Sequence, residues 1–385
     1  HKEYRRQRQM CIRDRCTLRP MDVIKALLIL AGLVVVHEAG HFFAATLQGI
    51  RVSGFSVGFG PVLLERHRRG VQFALRAIPL GGFVAFPDED EDSQIPKDDP
   101  DLLSNRPLPQ RALVIAAGVL ANLLLAWLVL VAQGAFLGIP SGFSTNPGVL
   151  ISAVQPGQAA AAAGLNAGDR IVAVNGEVLG GGQMAVKGLV TLIQSSPDRT
   201  LTLSADRSGQ AKTLTLTPKN RDGIGRIGAE LLPSGQEQFR PARSPLEVLG
   251  QASHDFSALT SRTVEGFTTL ITHFGETAGQ VSGPVKIVEM GAQLSHQGGS
   301  SLFLFTALIS INLAVLNALP LPLLDGGQMV LLLLEGVRGR KLPQRFETAF
   351  LQSGFVFLVG LSVLLIVKDT SQLPAIQQIL HPGGR

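Results

Sequence analysis

The sequence predicts a polytopic α-helical membrane protein with four transmembrane helices and one extramembrane β-rich domain inserted between the second and third helices. The 385-residue chain, at 45% hydrophobic residues, is longer and more apolar than one compact soluble domain requires. Four apolar segments reach the length of about 20 residues that a spanning helix needs. They are residues 23–47, 112–136, 302–334 and 346–367. Between the second and third segments the pattern changes to the short alternating stretches that are typical of strands.

The first twenty residues differ in composition from the rest of the chain. They carry seven Lys or Arg against two acidic residues, which equals the +5 net charge of the whole chain, so residues 21–385 are formally neutral. They also hold both cysteines and the only tyrosine. We expect residues 1–20 to be a foreign or artefactual tail, with Met21 as the natural start, rather than a genuine basic extension. Without the tail, disulfides and thiolate metal sites are excluded, and nothing supports nucleic-acid binding.

The loop between the third and fourth segments predicts the orientation in the membrane. Lys and Arg accumulate on the cytoplasmic side of short loops. Four basic residues fall within eight positions of this loop: Arg338, Arg340, Lys341 and Arg345. Alternation then places residues 48–111 in the cytoplasm and residues 137–301, with both termini, on the other side. We therefore expect a multi-pass protein of the cell inner (plasma) membrane, with its β-rich domain on the non-cytoplasmic side.

The first apolar segment carries the motif His37-Glu38-Ala-Gly-His41 in its second half. The i, i+4 spacing puts the two imidazoles on one helix face with the glutamate beside them. Neutral imidazole suits Zn²⁺, and the glutamate can act as a general base toward a water at the metal. Ionisable groups at membrane depth are costly and therefore indicate function. A chance match on a buried helix is the alternative, and a partner in the third segment argues against it.

That partner is Asp325, at a predicted break in the third segment. Two prolines and a glycine pair interrupt the segment over residues 317–327 (NALPLPLLDGG). Such breaks are tolerated where the backbone faces protein or water, but a carboxylate there needs a cation to meet. Two histidines leave Zn²⁺ one protein ligand short of the usual three. We predict His37, His41 and Asp325 as the zinc ligands and Glu38 as the catalytic general base.

The motifs HEAGH and NALPLPLLDG together resemble those of the site-2 protease family, particularly the bacterial regulator-of-sigma-E type, whose marks are HExxH and NxxPxPxxDG. Residues 56–61 (SVGFGP) and 78–83 (IPLGGF) look like the family's segment after the catalytic helix, including its membrane-associated β-loop. Residues 282–285 (SGPV) look like the segment before the aspartate-bearing helix. One departure is Val119, which stands where the family's G-P-x-x-N pattern has proline, and it leaves open whether the second helix bends.

The resemblance implies a zinc endopeptidase that hydrolyses a peptide bond within or near the transmembrane segment of a single-pass membrane protein. Its substrates would be anti-sigma factors or remnant signal peptides already cut by an upstream site-1 protease. Asn317 would hold the substrate in extended form or stabilise the transition state. Gly81 and Gly82 in the β-loop could offer a sheet edge to an unwound substrate, or they could only form a turn.

The sequence pattern of residues 148–220 predicts a separate β-rich domain. We expect strands at 149–154, 170–174, 200–205 and 212–218, and a helix at 184–194. The run 163–176 (AGLNAGDRIVAVNG) closely resembles the circularly permuted PDZ domain of proteases, which the site-2 family carries at this place in the chain. Two roles stay open for such a domain. It either captures a peptide C-terminus by strand addition, or acts as a size filter that admits only trimmed substrates.

The remaining segments complete the predicted organisation. The domains are 1–20, the foreign tail; 21–136, the first part of the membrane core; 148–220, the PDZ domain; 221–301, a linker and an amphipathic segment; 302–367, the second part of the core; and 368–385, a C-terminal tail. Within 221–301, a linker is expected over 220–245. The charged residues Arg262, Glu265 and His273 make an interfacial or amphipathic helix more plausible at 256–274 than a fifth span.

Two other classes of function compete with the endopeptidase. A non-catalytic PDZ membrane adaptor would keep the helices as a scaffold, but it has no reason to keep both Glu38 and a buried Asp325. A metal transporter would need a polar path across several helices, and the second and fourth segments offer little beyond a few amides and a serine.

Overall fold

The computed structural model of the protein describes residues 20–89, 95–155, 157–207, 209–221, 223–274, 283–295 and 299–372. The chain forms two compact units, which we call the membrane unit (residues 1–137 and 242–385) and the inserted unit (residues 138–241). The predicted foreign tail, except for Pro20, and the C-terminal tail beyond residue 372 lie outside the described residues.

The described elements follow in chain order. The first are α1 (Pro20–Leu47), β1 (Gly54–Arg68), β2 (Val71–Ala85), α2 (Leu108–Phe136) and β3 (Ile139–Val154). Next come α3 (Ala159–Ala162), β4 (Arg170–Val174), β5 (Glu177–Val178), α4 (Gly182–Gln194), β6 (Leu201–Arg207), β7 (Gln210–Leu216), β8 (Lys219–Arg221), β9 (Ile224–Arg226) and β10 (Ala229–Arg240). The last are α5 (Pro245–Thr272), α6 (Pro284–Ser295), α7 (Gly299–Ala318), α8 (Asp325–Arg338) and α9 (Gln344–Gln372).

Four of the described helices are long and apolar enough to cross a membrane, as the sequence predicts. They are α1, α2, α7 and α9. The amphipathic helix is also present as α5, but it begins eleven residues earlier than expected. One face of α5 packs on α2 and α7 in a cluster of Ala126, Leu130, Ala252, Ala307 and Ile311. The protein is therefore a multi-pass membrane protein in which α5 covers two of the candidate spans.

The third predicted segment is divided, because α7 ends at Ala318 and α8 begins at Asp325. The prolines of the intervening stretch cannot continue the hydrogen-bond ladder of a helix. The two glycines after Asp325 allow the stretch to lie close to α8, since a Cβ on Gly326 would overlap the carbonyl of Leu319 and one on Gly327 the carbonyl of Leu321. The break was predicted, but a single span over 302–334 was not correct, since α8 is a separate helix of 14 residues.

The β-loop formed by β1 and β2 lies against the second half of α1. Its inner segment, residues 54–57, pairs with residues 82–85 on one side and residues 72–75 on the other, while the hairpin end pairs 62–68 with 71–76. The rings of Phe55 and Phe73 pack on Phe42 of α1, with centroid distances of 5.5 and 5.8 Å. Residues 82–85 therefore form one edge strand of the sheet, and this edge lies next to α1.

The inserted unit is β-rich, as predicted. Its main sheet has the order β10-β3-β4-β6-β7, with β5 paired to β4. The buried core of the unit includes Val149, Ile151, Ile171, Leu189 and Leu203, contributed by β3, β4, β6 and α4. The expected strands and helix all correspond to elements of this unit.

The boundaries of the inserted unit differ from the predicted 148–220. The expected linker over 220–245 is wrong for most of its length, because β8, β9 and β10 lie there. Strand β10 pairs with β3 from Ala229–Val154 to Arg240–Ile139. Pro233 and Gly235 resemble loop residues, but the ladder accommodates them at an irregularity in its register.

Candidate metal centre

Helix α1 brings His37 and His41 together one turn apart. Their rings lie edge to face with centroids 4.8 Å apart, and their Nε2 atoms are separated by 3.3 Å. His37 is only 6% exposed. It stands ten residues before the end of α1 at Leu47, which is about 15 Å along a helix. His37 therefore lies deep within a helix that is long enough to span a bilayer, and His41 lies one turn closer to the end of that helix.

Asp325, the first residue of α8, completes the predicted ligand set. Its Oδ2 lies 3.2 Å from Nε2 of His37 and 3.4 Å from Nε2 of His41. Among the described residues, these three form the one group of His, Cys, Asp or Glu side chains close enough to share a metal ion. Oδ2 is buried and makes no hydrogen bond of normal geometry with any described residue. Two imidazoles and a carboxylate with a buried oxygen of this kind fit Zn²⁺, which such sites hold with three protein ligands.

Glu38 faces the end of the β-loop. A Cβ on Gly82 would lie 3.1 Å from Cγ of Glu38, so the bare backbone of Gly82 touches the glutamate. The backbone of Val84 also lies near the Glu38 carboxylate. Gly81 has a different surrounding, because its φ is +100° and a Cβ there would overlap the ring of Phe59. The structure therefore brings Gly82 next to Glu38, whereas Gly81 lies within β2 in a conformation that favours glycine, against the ring of Phe59.

Asn317, the penultimate residue of α7, also reaches the site. Its Nδ2 lies 3.3 Å from Nε2 of His37. The break after α7 thus presents an amide and a carboxylate, those of Asn317 and Asp325, to the same imidazole.

Helix α2 supplies three groups that the sequence did not assign to the site. The backbone carbonyl of Val114 lies 2.8 Å from Nδ1 of His41, and the side-chain amide of Asn122 lies 3.2 Å from Nδ1 of His37. Between them, Gly118 leaves room for the imidazoles, since a Cβ there would overlap Nε2 of His41. The i, i+4, i+8 spacing of these residues on an apolar helix is the signal that could have identified this face. Helix α2 also runs unbroken through position 119, which the family pattern left open.

Comparisons with known proteins agree with this geometry. The model of Peptidase family M50 matches residues 25–361. A protein of Nostoc sp. strain PCC 7120, named as a candidate zinc metalloprotease, is 46% identical over 355 residues, which are 92% of this chain and 97% of the relative. A membrane metalloprotease of Arabidopsis thaliana, named as chloroplastic, is 42% identical over 363 residues, 93% of this chain and 81% of the relative. The chain belongs to peptidase family M50, the site-2 protease family, and is a zinc metalloprotease with several candidate membrane spans.

Proposed function

We propose that the protein is an intramembrane endopeptidase that cleaves single-pass membrane proteins within or near their transmembrane segments. One observation carries the proposal. His37 and His41 lie about 9–15 Å inside the end of a helix that can span a bilayer, and Asp325 and Glu38 lie beside them. A peptide bond that reaches these groups would lie at membrane depth.

The residues around the site have separable roles in peptide hydrolysis. A bound Zn²⁺ polarises a carbonyl and makes a water nucleophilic near neutral pH. Glu38 accepts the proton of the attacking water and returns a proton to the departing amine. His37, His41 and Asp325 would hold the metal. The amide of Asn317 can donate a hydrogen bond to the carbonyl oxygen of the substrate, or hold the substrate backbone in extended form.

The β-loop offers a means of presenting the substrate. A transmembrane helix satisfies its own backbone groups, so it must unwind before its peptide bond can enter the site. Residues 82–85 form one end of the β-loop sheet and touch Glu38 through Gly82. An unwound substrate strand that paired near this end would lie beside the general base. The lack of a side chain at Gly82 would then keep this path open.

The inserted unit would control which substrates are cleaved rather than take part in hydrolysis. We propose that it is a circularly permuted PDZ domain on the non-cytoplasmic side of the cell inner membrane. In support, Gly164 and Gly168 of the PDZ-like run have positive φ, and Leu165 between them is buried in the core of the unit. Its role is either peptide capture or size filtering. The substrate class would be anti-sigma factors or remnant signal peptides already cut by a site-1 protease.

Two substitutions test the proposal in proteoliposomes that contain a model single-pass substrate. Glu38→Gln removes the general base, so cleavage should fall by about 10²–10⁴-fold while bound zinc stays at the wild-type level. Asp325→Asn replaces a charged ligand, so it should weaken zinc retention as well as abolish cleavage. Glu265→Gln, an exposed substitution on α5, serves as the matched control.

The measurements test the position of the cut and the roles of the site residues separately. Mass spectrometry of the products should locate the cut within or near the transmembrane segment of the substrate. Full activity in Glu38→Gln would end the assignment of the general base. Wild-type zinc retention in Asp325→Asn would overturn the ligand assignment, while leaving the fold unaffected.

A further inference from the structure

Asn122 is completely buried at the middle of α2 and faces His37. Its side-chain amide lies 3.2 Å from Nδ1 of His37, and its Oδ1 has no hydrogen-bond partner among the described residues. A buried amide oxygen without a partner is costly. The orientation of this amide and the proton on His37 are therefore linked.

The two ends of an asparagine amide have the same shape, and the hydrogen-bond network distinguishes them. With the NH₂ end toward His37, Nδ1 would have to accept, and the imidazole proton would sit on Nε2. That nitrogen faces Oδ2 of Asp325 at 3.2 Å, where a metal ligand needs a free lone pair. With Oδ1 toward His37 instead, Nδ1–H donates to Oδ1 and the Nε2 lone pair points to the centre of the site, while the NH₂ group takes the position that Oδ1 leaves.

His41 makes a similar contact through its Nδ1, but its partner can act only as a hydrogen-bond acceptor. Its Nδ1 lies 2.8 Å from the carbonyl oxygen of Val114, and a carbonyl can only accept. His41 therefore carries its proton on Nδ1 and presents Nε2 to Asp325. Val114 and Asn122 stand two helical turns apart on the same face of α2, and each faces one imidazole.

We propose that Asn122 is a positioning residue that holds His37 in the tautomer with the proton on Nδ1, so that Nε2 can bind zinc. The inference rests on the zinc site of the proposed function. Ser310 of α7 donates a hydrogen bond from Oγ to the backbone carbonyl of Asn122 at 2.7 Å, and this bond does not involve the side-chain amide that faces His37. Through Val114 and Asn122, which each face one imidazole, α2 acts as an outer support for the metal ligands.

The test measures zinc affinity of the purified full chain by competition with a chelator, without reference to cleavage. Asn122→Leu removes the acceptor at similar size and should lower the affinity by about 10–100-fold. Asn122→Asp keeps an oxygen acceptor and should restore the affinity toward the wild-type value. Ser310→Ala breaks the hydrogen bond at the same helix interface without touching His37, so it is the matched control and should bind zinc as the wild type does.

Replacement of zinc by Co²⁺ adds a spectroscopic readout of ligand geometry. The d–d absorption bands should change in Asn122→Leu and remain wild-type in Ser310→Ala. If the leucine variant does not accumulate in the membrane, Asn122→Ala provides the same comparison, because it removes the acceptor without adding bulk.

Two results would overturn the inference. One is wild-type zinc affinity together with an unchanged cobalt spectrum when the acceptor is absent. The other is an equal loss in Ser310→Ala, which would make the effect one of helix packing. A failure of the wild-type chain to bind zinc would count against the proposed function instead, so the two failures are distinguishable.

Discussion

Gly118 lies between the groups of α2 that face the two histidines, and its lack of a side chain is a requirement of the site. A Cβ there would overlap Nε2 of His41 and lie 2.7 Å from Cε1 of both imidazoles. We predict that Gly118→Ala displaces the histidines and reduces zinc affinity by at least tenfold. The unfolding free energy should fall by about 1–3 kcal/mol, as in overpacked cores. Zinc competition and thermal unfolding in detergent measure the two effects.

The matched control for this substitution is Gly32→Ala on α1. No atom lies within 4 Å of a Cβ at that position, so zinc affinity should stay at its wild-type value and the unfolding free energy should not fall. Normal zinc affinity in Gly118→Ala would show that α1 and α2 can separate without disturbing the metal ligands.

The candidate site residues that could be predicted from the sequence are those whose chemistry is unusual for a membrane helix. His37, Glu38, His41 and Asp325 are recognisable because ionisable groups are rare at membrane depth. Gly118 and Val114 were not predicted, since a helix that is apolar all round does not reveal which face meets a neighbour. A backbone carbonyl such as that of Val114 has no sequence signature at all.

Asp169 in the inserted unit gives a prediction of pH dependence. Burial acts to raise the pKa of its carboxyl, but Arg207 donates to both carboxylate oxygens at 2.5 and 2.6 Å, and the backbone N–H of Asn166 donates at 2.9 Å. These donors outweigh burial and hold the pKa of Asp169 below its ordinary value. Its stabilising contribution is therefore complete above the unfolded pKa of about 4 and is lost as the pH falls through the folded pKa.

Asp169→Asn should lower the denaturant midpoint of the inserted unit at neutral pH and flatten its dependence on pH below about 4. The full chain would be equilibrated at each pH and denaturant concentration, then labelled with deuterium at one fixed pH and read by mass spectrometry. Asp198→Asn, at an exposed position of the same unit, is the control. An unchanged pH profile in Asp169→Asn would show that another group governs acid unfolding.

At the scale of elements, the break between α7 and α8 depends on glycine. A Cβ on Gly327 would overlap the carbonyl of Leu321 and lie 3.2 Å from Cα of Pro322. Because backbone must shift to relieve this overlap, we predict that Gly327→Ala destabilises the membrane unit by about 1–3 kcal/mol and displaces Asp325, two residues earlier. Zinc retention and the thermal midpoint should therefore fall together.

The control substitution in the same helix is Gly336→Ala. Only the end of the Leu108 side chain lies near a Cβ at that position, at 3.3 Å, and it can move. Equal losses in both variants would assign the effect to α8 in general rather than to the break.

Elements that depend on local composition were predicted more accurately than elements that depend on pairing with a distant part of the chain. The spans were predicted to within a few residues at most ends, because bilayer thickness imposes their length and apolar composition. Strand β10 was missed, because its pairing partners in β3 lie 75 to 101 residues away in the chain and Pro233 and Gly235 give its own sequence the pattern of a loop.

At the scale of the whole molecule, the two ends of the inserted unit lie close together, as expected for a domain inserted into another. Ile139 and Arg240, at the beginning of β3 and the end of β10, lie opposite each other in the sheet. Cα atoms in such a pair are about 4.5–5.5 Å apart, so the unit enters and leaves the chain at nearly one point. The candidate ligands and Glu38 all belong to the membrane unit.

Replacement of residues 138–241 by a short Gly/Ser linker should therefore leave the membrane unit folded and its zinc content unchanged, because the linker has only this small gap to bridge. Cleavage distinguishes the two roles of the inserted unit. If the unit is a size filter, the shortened protein should cleave an untrimmed single-pass substrate faster than the full chain does and a trimmed one at the same rate. If the unit captures substrate, both rates should fall while zinc stays bound. Loss of zinc on excision would contradict the division of roles, because the metal site would then depend on residues outside the membrane unit.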